Sequence, residues 1–185
     1  MDPTSIHDET KVGYPYLCIA LIHPSTYSFA SWPGKLDVTV GGGIGLGHSA
    51  MSIIVEESVE EALLDSDYVQ KNICPVGVLP ILNRSPGGWA LPGMYYLFDL
   101  PLPPDGSITP QTNALDGEIQ NFELLDVDTV FRALLEGQFK PSSALAILDF
   151  LLRHGFYTNE TDPRYLDVCR LLKVNINLPV AWGTT

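Results

Sequence analysis

The chain has 185 residues, of which 45% are hydrophobic and 17% are charged, a composition typical of a folded globular domain. Twenty-two acidic residues against ten basic ones give a formal net charge of −12 at pH 7. This balance argues against a nucleic-acid surface, which needs clustered Lys and Arg. It also disfavours an anionic ligand unless a metal ion mediates the contact.

The ends of the chain and its cysteines bear on location and domain count. The three cysteines are widely spaced and odd in number, which indicates neither a disulfide framework nor a zinc site. The first eleven residues are polar and acidic, unlike a signal or transit peptide, and the longest apolar run, 16–22, is too short to cross a bilayer. We therefore expect a cytoplasmic protein without membrane insertion. We expect one domain over 13–174, with tails at 1–12 and 175–185.

The hydrophobic pattern predicts alternating strands and helices in chain order. Five strands are predicted, at 16–22, 36–40, 74–81, 94–100 and 118–125. A helix is predicted after the glycine-rich segment that follows the second strand, and three more at 127–136, 141–156 and 161–172. The segments 82–93 and 102–116 are rich in Gly and Pro, which is typical of connections.

Residues 42–64 join a glycine loop to an acidic helix, GGIGLGHSAMSIIVEESVEEALL. Because Glu57, Glu60 and Glu61 are three and four residues apart, a helix places them on one face. Such a face either holds a divalent cation or is simply solvated, and both interpretations stay open. Five apolar residues form a stripe on the other face, which predicts packing onto a sheet. They are Met51, Ile54, Val55, Val59 and Ala62.

The spacing of Gly42 and the three acids resembles the Nudix box, G-x5-E-x7-R-E-U-x-E-E-x-G-U, where U is aliphatic. This resemblance implies that Glu57, Glu60 and Glu61 hold Mg²⁺ or Mn²⁺, hard cations that also bind substrate phosphates. Four positions depart from the box, which we interpret as degenerate. His48 replaces the first Glu, Glu56 the Arg, Ser58 an aliphatic residue and Leu63 the last Gly.

Three longer phrases look like one Nudix branch, the thiamine pyrophosphokinase-related group of fungi and bacteria. They are WPGKLDVTVGGG, LDGEIQNFELLDV and GQFKPSSALAILDFLLRHG. The resemblance covers 17–174 and implies an α/β fold, the Nudix α/β/α sandwich with a mixed sheet. Glu118 of the second phrase is either a catalytic or metal-directed acid or a surface acid beside a turn. Where the branch carries a basic run, this chain has PSTYSF at 24–29, without the guanidinium groups that would bind a diphosphate.

Aromatic and apolar residues are enriched near the expected cleft. Candidate substrate-binding residues are Phe29, Trp32, Trp89, Leu91 and Met94. As a set they favour an apolar, weakly charged small molecule, although each one alone is more typical of a core or loop anchor.

The leading hypothesis is therefore a Nudix-fold enzyme of secondary metabolism that does not hydrolyse phosphate. It would isomerise or cyclise a terpenoid-like or polyketide-like intermediate, a pericyclic step included, by orienting the substrate without a cofactor. Tyr96 or His48 would polarise a carbonyl, and a nearby acid would transfer a proton. The candidate acids are Glu57, Glu61 and Glu118.

Two alternatives remain. One is a Mg²⁺-dependent pyrophosphohydrolase of thiamine-diphosphate-like or prenyl diphosphates, as the family implies, and the other is a non-catalytic ligand-binding module. In each case the expected partner is a small molecule, with no nucleic acid, and a homodimer is left open.

Overall fold

The computed structural model describes residues 16–22, 32–84 and 88–174. The described strands are β1 (Tyr16–Ile22), β2 (Leu36–Asp37), β3 (Cys74–Arg84), β4 (Ala90–Asp99) and β5 (Ile119–Asp126). The described helices are α1 (Ala50–Glu60), α2 (Ser66–Asn72), α3 (Val127–Leu135), α4 (Pro141–Arg153) and α5 (Tyr165–Leu172). This order of elements confirms the predicted α/β class. The predicted tails at 1–12 and 175–185 lie outside the described residues.

The strands form two antiparallel sheets. One has three strands in the order β2-β1-β5, and the other is the hairpin β3-β4. The mixed sheet implied by the resemblance is not seen among the described strands, where one isolated parallel bridge joins Leu36 to Phe139. Strand β2 ends at Asp37, earlier than predicted. There the Val38 N–H donates to the Asp37 carboxylate (2.8 Å) instead of continuing a strand ladder.

The β3-β4 hairpin is longer than the sequence predicts. The connection expected over 82–93 is mostly strand, because β3 continues to Arg84 and pairs there with Ala90. Three prolines, Pro75, Pro80 and Pro92, lie within the paired strands. A two-stranded sheet tolerates them because, within the described residues, each strand has one edge outside the ladder, and an N–H is not needed there.

Local side-chain signals explain most helix starts. Asp126 caps α3 by accepting the Thr129 N–H (2.8 Å), and Pro141 occupies the first turn of α4, where its missing N–H costs nothing. Helix α5 begins at Tyr165, later than predicted, because the N–H groups of Thr161 and Asp162 donate to the Thr158 carbonyl and close a turn.

Helix α2 is absent from the sequence prediction. Its N-cap is Asp65, whose side chain accepts the Tyr68 N–H at 2.8 Å. An N-cap aspartate is a readable signal, but seven residues are too short for a clear apolar period.

Three buried clusters hold the domain together. The largest packs α3 on α4, and its members are Val130, Ala133, Phe139, Ile147, Leu151 and Tyr157. A second cluster, of Ala62, Leu64 and Val69, joins the end of α1 to α2, with Val40 and Phe122 packed against it. The third places Leu79 and Ile81 of β3 against Leu172 of α5. None of the helices in the described ranges is long and apolar enough to cross a bilayer.

The predicted apolar stripe of α1 is only partly buried. Met51 and Val59 are each 38% exposed, whereas Ala62 is fully buried. Val55 packs against the cluster of Ala62, Leu64 and Val69, so the C-terminal half of the helix contacts the α2 region through one side only. This end of α1 is where the acidic residues lie.

Candidate functional site

The start of α1 is fixed by two serines. Ser49 Oγ accepts the Ser52 N–H (3.0 Å), and Ser52 Oγ accepts the Ser49 N–H (3.1 Å), a reciprocal capping box. His48 precedes this cap and is exposed, and its N–H donates to the Gly45 carbonyl at 3.2 Å. In the described part of the chain no hydrogen bond joins the His48 ring to the acids of α1, so its catalytic role stays a prediction.

The other end of α1 is an acidic turn. Glu61 caps the helix and is only 7% exposed, Glu57 is half-buried one turn earlier, and Glu60 is exposed. The chain then passes through Leu63, which has a φ of +50°, and the Leu64 N–H donates to the Ser58 carbonyl at 3.1 Å. The backbone thus turns sharply where the Nudix box has its last glycine.

The glycine loop, residues 41–47, lies directly against these acids. The Gly41 N–H donates to Glu61 Oε2 at 3.1 Å. The backbone of Gly42 lies so close to the Glu57 side chain that a Cβ atom at Gly42 would overlap its carboxyl group. The loop therefore hydrogen-bonds one of the carboxylates, that of Glu61, and leaves space for the other only because residue 42 is glycine.

A second segment, residues 111–118, approaches the same helix end. The Gln111 N–H donates to the Ala62 carbonyl (2.9 Å), and Asn113 Nδ2 donates to the Glu60 carbonyl (2.7 Å). These bonds bring Asp116 and Glu118 within electrostatic range of Glu57 and Glu61. Asp116 is absent from the sequence prediction, although the phrase D-G-E, which also holds Glu118, points to it.

Burial and neighbouring negative charges raise the pKa values of Glu61 and Glu57. Burial raises the pKa of Glu61 to about 8; the Gly41 N–H lowers it, and the charges of Glu57, Glu118 and Asp116 raise it further. Burial also raises the pKa of Glu57, followed by the charges of Glu60, Glu118, Glu56 and Asp116. The structure thus brings together all four predicted acids of the site, Glu57, Glu60, Glu61 and Glu118.

Four of the five predicted substrate-binding residues lie in the described part of the chain. Trp32 precedes β2, Trp89 precedes β4, and all the described members of this set are exposed. Leu91, Met94 and the candidate donor Tyr96 lie on β4, in the hairpin whose buried side faces α5. Phe29 falls outside the described residues. The roles of all these residues stay predictions.

The acidic end of α1 offers carboxylate oxygens to a divalent cation. Carboxylate oxygens are the ligands that Mg²⁺ and Mn²⁺ prefer. However, across residues 32–84 and 88–174 no group of three or more His, Cys, Asp or Glu side chains is arranged so that it could hold a metal ion. The donor atoms are thus of the right chemistry, but the described side chains are not arranged as a metal site.

Comparisons with known proteins point to one superfamily, although no family model matches the chain. The chain is 35% identical to Nudix hydrolase 24, chloroplastic, of Arabidopsis thaliana, over 78% of this chain and 38% of that protein. It is 33% identical to Nudix hydrolase 20, chloroplastic, of the same plant, over 79% and 37% respectively.

A yeast protein extends the similarity. The chain is 31% identical to "Uncharacterized protein YJR142W" of Saccharomyces cerevisiae over 80% of this chain and 45% of that protein. The chain thus spans less than half the length of each of these relatives. Its similarity to two proteins named Nudix hydrolases, over about four fifths of its own length, supports its placement in the Nudix superfamily.

Proposed function

We propose that this chain hydrolyses a small organic diphosphate with the help of a divalent cation. The observation that carries the proposal is the contact of the glycine loop with Glu61 and Glu57, with Glu118 and Asp116 close by. The other acids add negative charge around Glu57 and Glu61, and a site crowded with carboxylate oxygens favours binding of a positive ion. The resemblance to thiamine pyrophosphokinase-related proteins makes thiamine-diphosphate-like and prenyl diphosphates the substrates to test first.

The proposed hydrolysis consumes one water molecule for each diphosphate. Water adds its oxygen to one phosphorus atom, the bridging P–O bond breaks, and an organic monophosphate and inorganic phosphate leave, with one proton released. When bound, a divalent cation would offset the phosphate charge and acidify water. Glu57, Glu60 and Glu61 are the residues that would hold it.

The chain's own acids have distinct roles in this proposal. Glu57 is half-buried against the Gly42 backbone, where it would hold the cation together with Glu60 and Glu61. Glu61 is held at Oε2 by the Gly41 N–H, which fixes its position beside Glu57. Glu118 is exposed and contributes charge from the second segment.

The non-hydrolytic alternative receives less support. Isomerisation or cyclisation of an apolar intermediate would use Tyr96 or His48 as donors, but neither has a described hydrogen bond to the acids of α1. The relatives whose names state an activity are named hydrolases. A non-catalytic binding module would need no acid cluster.

The test is hydrolysis in the presence of Mg²⁺, followed as phosphate release from thiamine diphosphate and geranyl diphosphate and as AMP release from ADP-ribose. We expect Glu57→Gln and Glu61→Gln each to lower kcat/KM by at least about 100-fold, because each removes a group that acts on the reacting phosphate. Glu160→Gln, an exposed acid far along the chain before α5, is the matched control and should leave the rate unchanged. Activity that survives both substitutions and a chelator, or no turnover of any diphosphate, would overturn the proposal.

A further inference from the structure

Two leucines stand out as the most exposed large hydrophobic side chains of the described residues. Leu46 is fully exposed and Leu115 is 98% exposed. Single exposed leucines are ordinary on protein surfaces. These two are unusual in their placement, because each belongs to one of the two segments that contact the acidic end of α1.

Leu46 is presented by the glycine loop. It lies at the apex of a turn closed by the His48 N–H and the Gly45 carbonyl (3.2 Å), and the turn requires Gly47, whose φ is +85°. The same loop holds Glu61 and Glu57 through Gly41 and Gly42. Ile44, 45% exposed, lies between these contacts and the turn.

Leu115 is presented in the same way by the second segment. Its N–H donates to Asn113 Oδ1 (3.0 Å), and the N–H groups of Asp116 and Gly117 donate to the Asn113 carbonyl (3.2 and 3.0 Å). Asn113 is itself bonded to the Glu60 carbonyl at 2.7 Å. Leu115 is thus fixed at an apex directly beside Asp116, which acts on Glu57 and Glu61.

The proposed function leaves one part of the substrate without a contact, namely the group that carries the diphosphate. Covering a leucine that water now surrounds contributes roughly 1.5–3 kcal/mol to binding, and a hydrocarbon group covers it without desolvating any charge. A sugar or base would have to give up hydration to lie against two leucines and an isoleucine.

We propose that Ile44, Leu46 and Leu115 form an apolar rim around the acidic cluster and that this rim binds a hydrocarbon group on the diphosphate substrate. The inference rests on the proposed function and narrows it, because it selects apolar diphosphates over sugar or nucleoside diphosphates. The glycine loop then supplies Ile44 and Leu46 to the ligand, and the second segment supplies Leu115 beside its two acids, Asp116 and Glu118.

The test compares geranyl diphosphate with methyl diphosphate, which shares the anion but lacks the long hydrocarbon. In the presence of Mg²⁺ we expect geranyl diphosphate to have a kcat/KM at least about tenfold higher, since burial of one leucine is worth about tenfold or more. Leu46→Ser and Leu115→Ser should each lower this geranyl-to-methyl ratio by about tenfold. Leu135→Ser, which changes an 82% exposed leucine on α3, should leave the ratio unchanged.

The possible results distinguish failure of the apolar rim from failure of the proposed hydrolase function. Hydrolysis of both compounds with a ratio near one, or a ratio that Leu46→Ser and Leu115→Ser leave unchanged, overturns the apolar rim and leaves the hydrolase intact. If neither compound is hydrolysed, calorimetric binding of the two compounds decides. Tighter binding of geranyl diphosphate that depends on both leucines supports the rim, and equal binding overturns it.

Vesicle binding tests whether the leucines contact a membrane instead of the substrate. Loss of binding to phosphatidylcholine vesicles in the leucine variants, without a change in the substrate ratio, would assign the leucines to a membrane surface and overturn the rim. Because both side chains are fully or almost fully exposed, thermal unfolding should be unaffected and serves as the check on folding.

Discussion

The backbone of Gly42 lies against the carboxyl group of Glu57, with no space for a side chain between them. Gly42→Ala must therefore push Glu57 aside or shift the loop. We expect a loss of about 1–3 kcal/mol in unfolding free energy, as for other overpacked sites, and a fall in hydrolysis of about 100-fold from displacement of a cation-binding group.

The matched control for this change is the next residue. A Cβ at Gly43 would meet nothing within 4 Å, and Gly43 is exposed. Gly43→Ala should leave both the urea midpoint and the rate of phosphate release near those of the unsubstituted protein. Equal effects of the two substitutions would show that the loop, rather than its contact with Glu57, matters.

Glu61 should make the protein less stable as pH rises. Its pKa is about 8 in the folded protein and near its ordinary value of 4.5 in the unfolded chain. Between these values the folded state binds the additional proton, so its stabilising contribution is complete below pH 4.5 and is lost as pH rises through 8. At about 1.4 kcal/mol per pH unit the contribution is on the order of a few kcal/mol.

Urea unfolding of Glu61→Gln at pH 5, 7 and 9 checks this. The amide stays neutral and can still accept the Gly41 N–H, so we expect a flatter pH profile and greater stability at pH 9. Glu60→Gln, on the exposed side of the same helix, should retain the slope. A slope that is unchanged in Glu61→Gln would contradict the assignment.

Divalent cations should stabilise the folded state at pH 8. Mg²⁺ at ten times its Kd would add about 1.4 kcal/mol and raise Tm by a few degrees. The effect should shrink in Glu57→Gln and in Glu61→Gln. Sodium chloride at equal ionic strength is the control, and an equal rise with sodium would contradict specific binding.

Leu63 adopts a φ of +50°, a region that favours glycine. Leu63→Gly should relieve this strain, offset in part by the greater entropy of glycine in the unfolded chain, for a net gain of roughly 0.5–1 kcal/mol in urea unfolding. Leu63→Ala keeps a Cβ and therefore the strain. A gain in both variants would trace the effect to the exposed side chain rather than to the backbone.

Asp37 ties β2 to α4. Its carboxylate accepts from Lys140 Nζ (2.9 Å), from the Val38 N–H (2.8 Å) and from the hydroxyl of buried Ser143. Asp37→Ala leaves Ser143 without this acceptor and should cost about 2–3 kcal/mol, whereas Asp37→Asn keeps one oxygen and should cost about 1 kcal/mol. Urea unfolding of both variants tests this grading, and equal losses would contradict it.

Some of the sequence predictions hold because they rest on local chemistry. The N-cap Asp126 and the first-turn residue Pro141 place the starts of α3 and α4. The spacing of Glu57 and Glu61 places both at the end of α1. Short helices and the extent of strand pairing cannot be predicted from the local hydrophobic pattern. Helix α2 is too short to show a period, and the extended hairpin depends on the pairing of Arg84 with Ala90.

By itself, the sequence determined the α/β class, the glycine loop next to an acidic helix and the resemblance to the Nudix box, because these depend on residue type and spacing. Only the tertiary structure decided which acids are buried, that Gly41 and Gly42 contact them, and that Asp116 joins them from residues far along the chain. The physical reason is that burial and charge crowding depend on segments distant in sequence, and no local pattern encodes that distance.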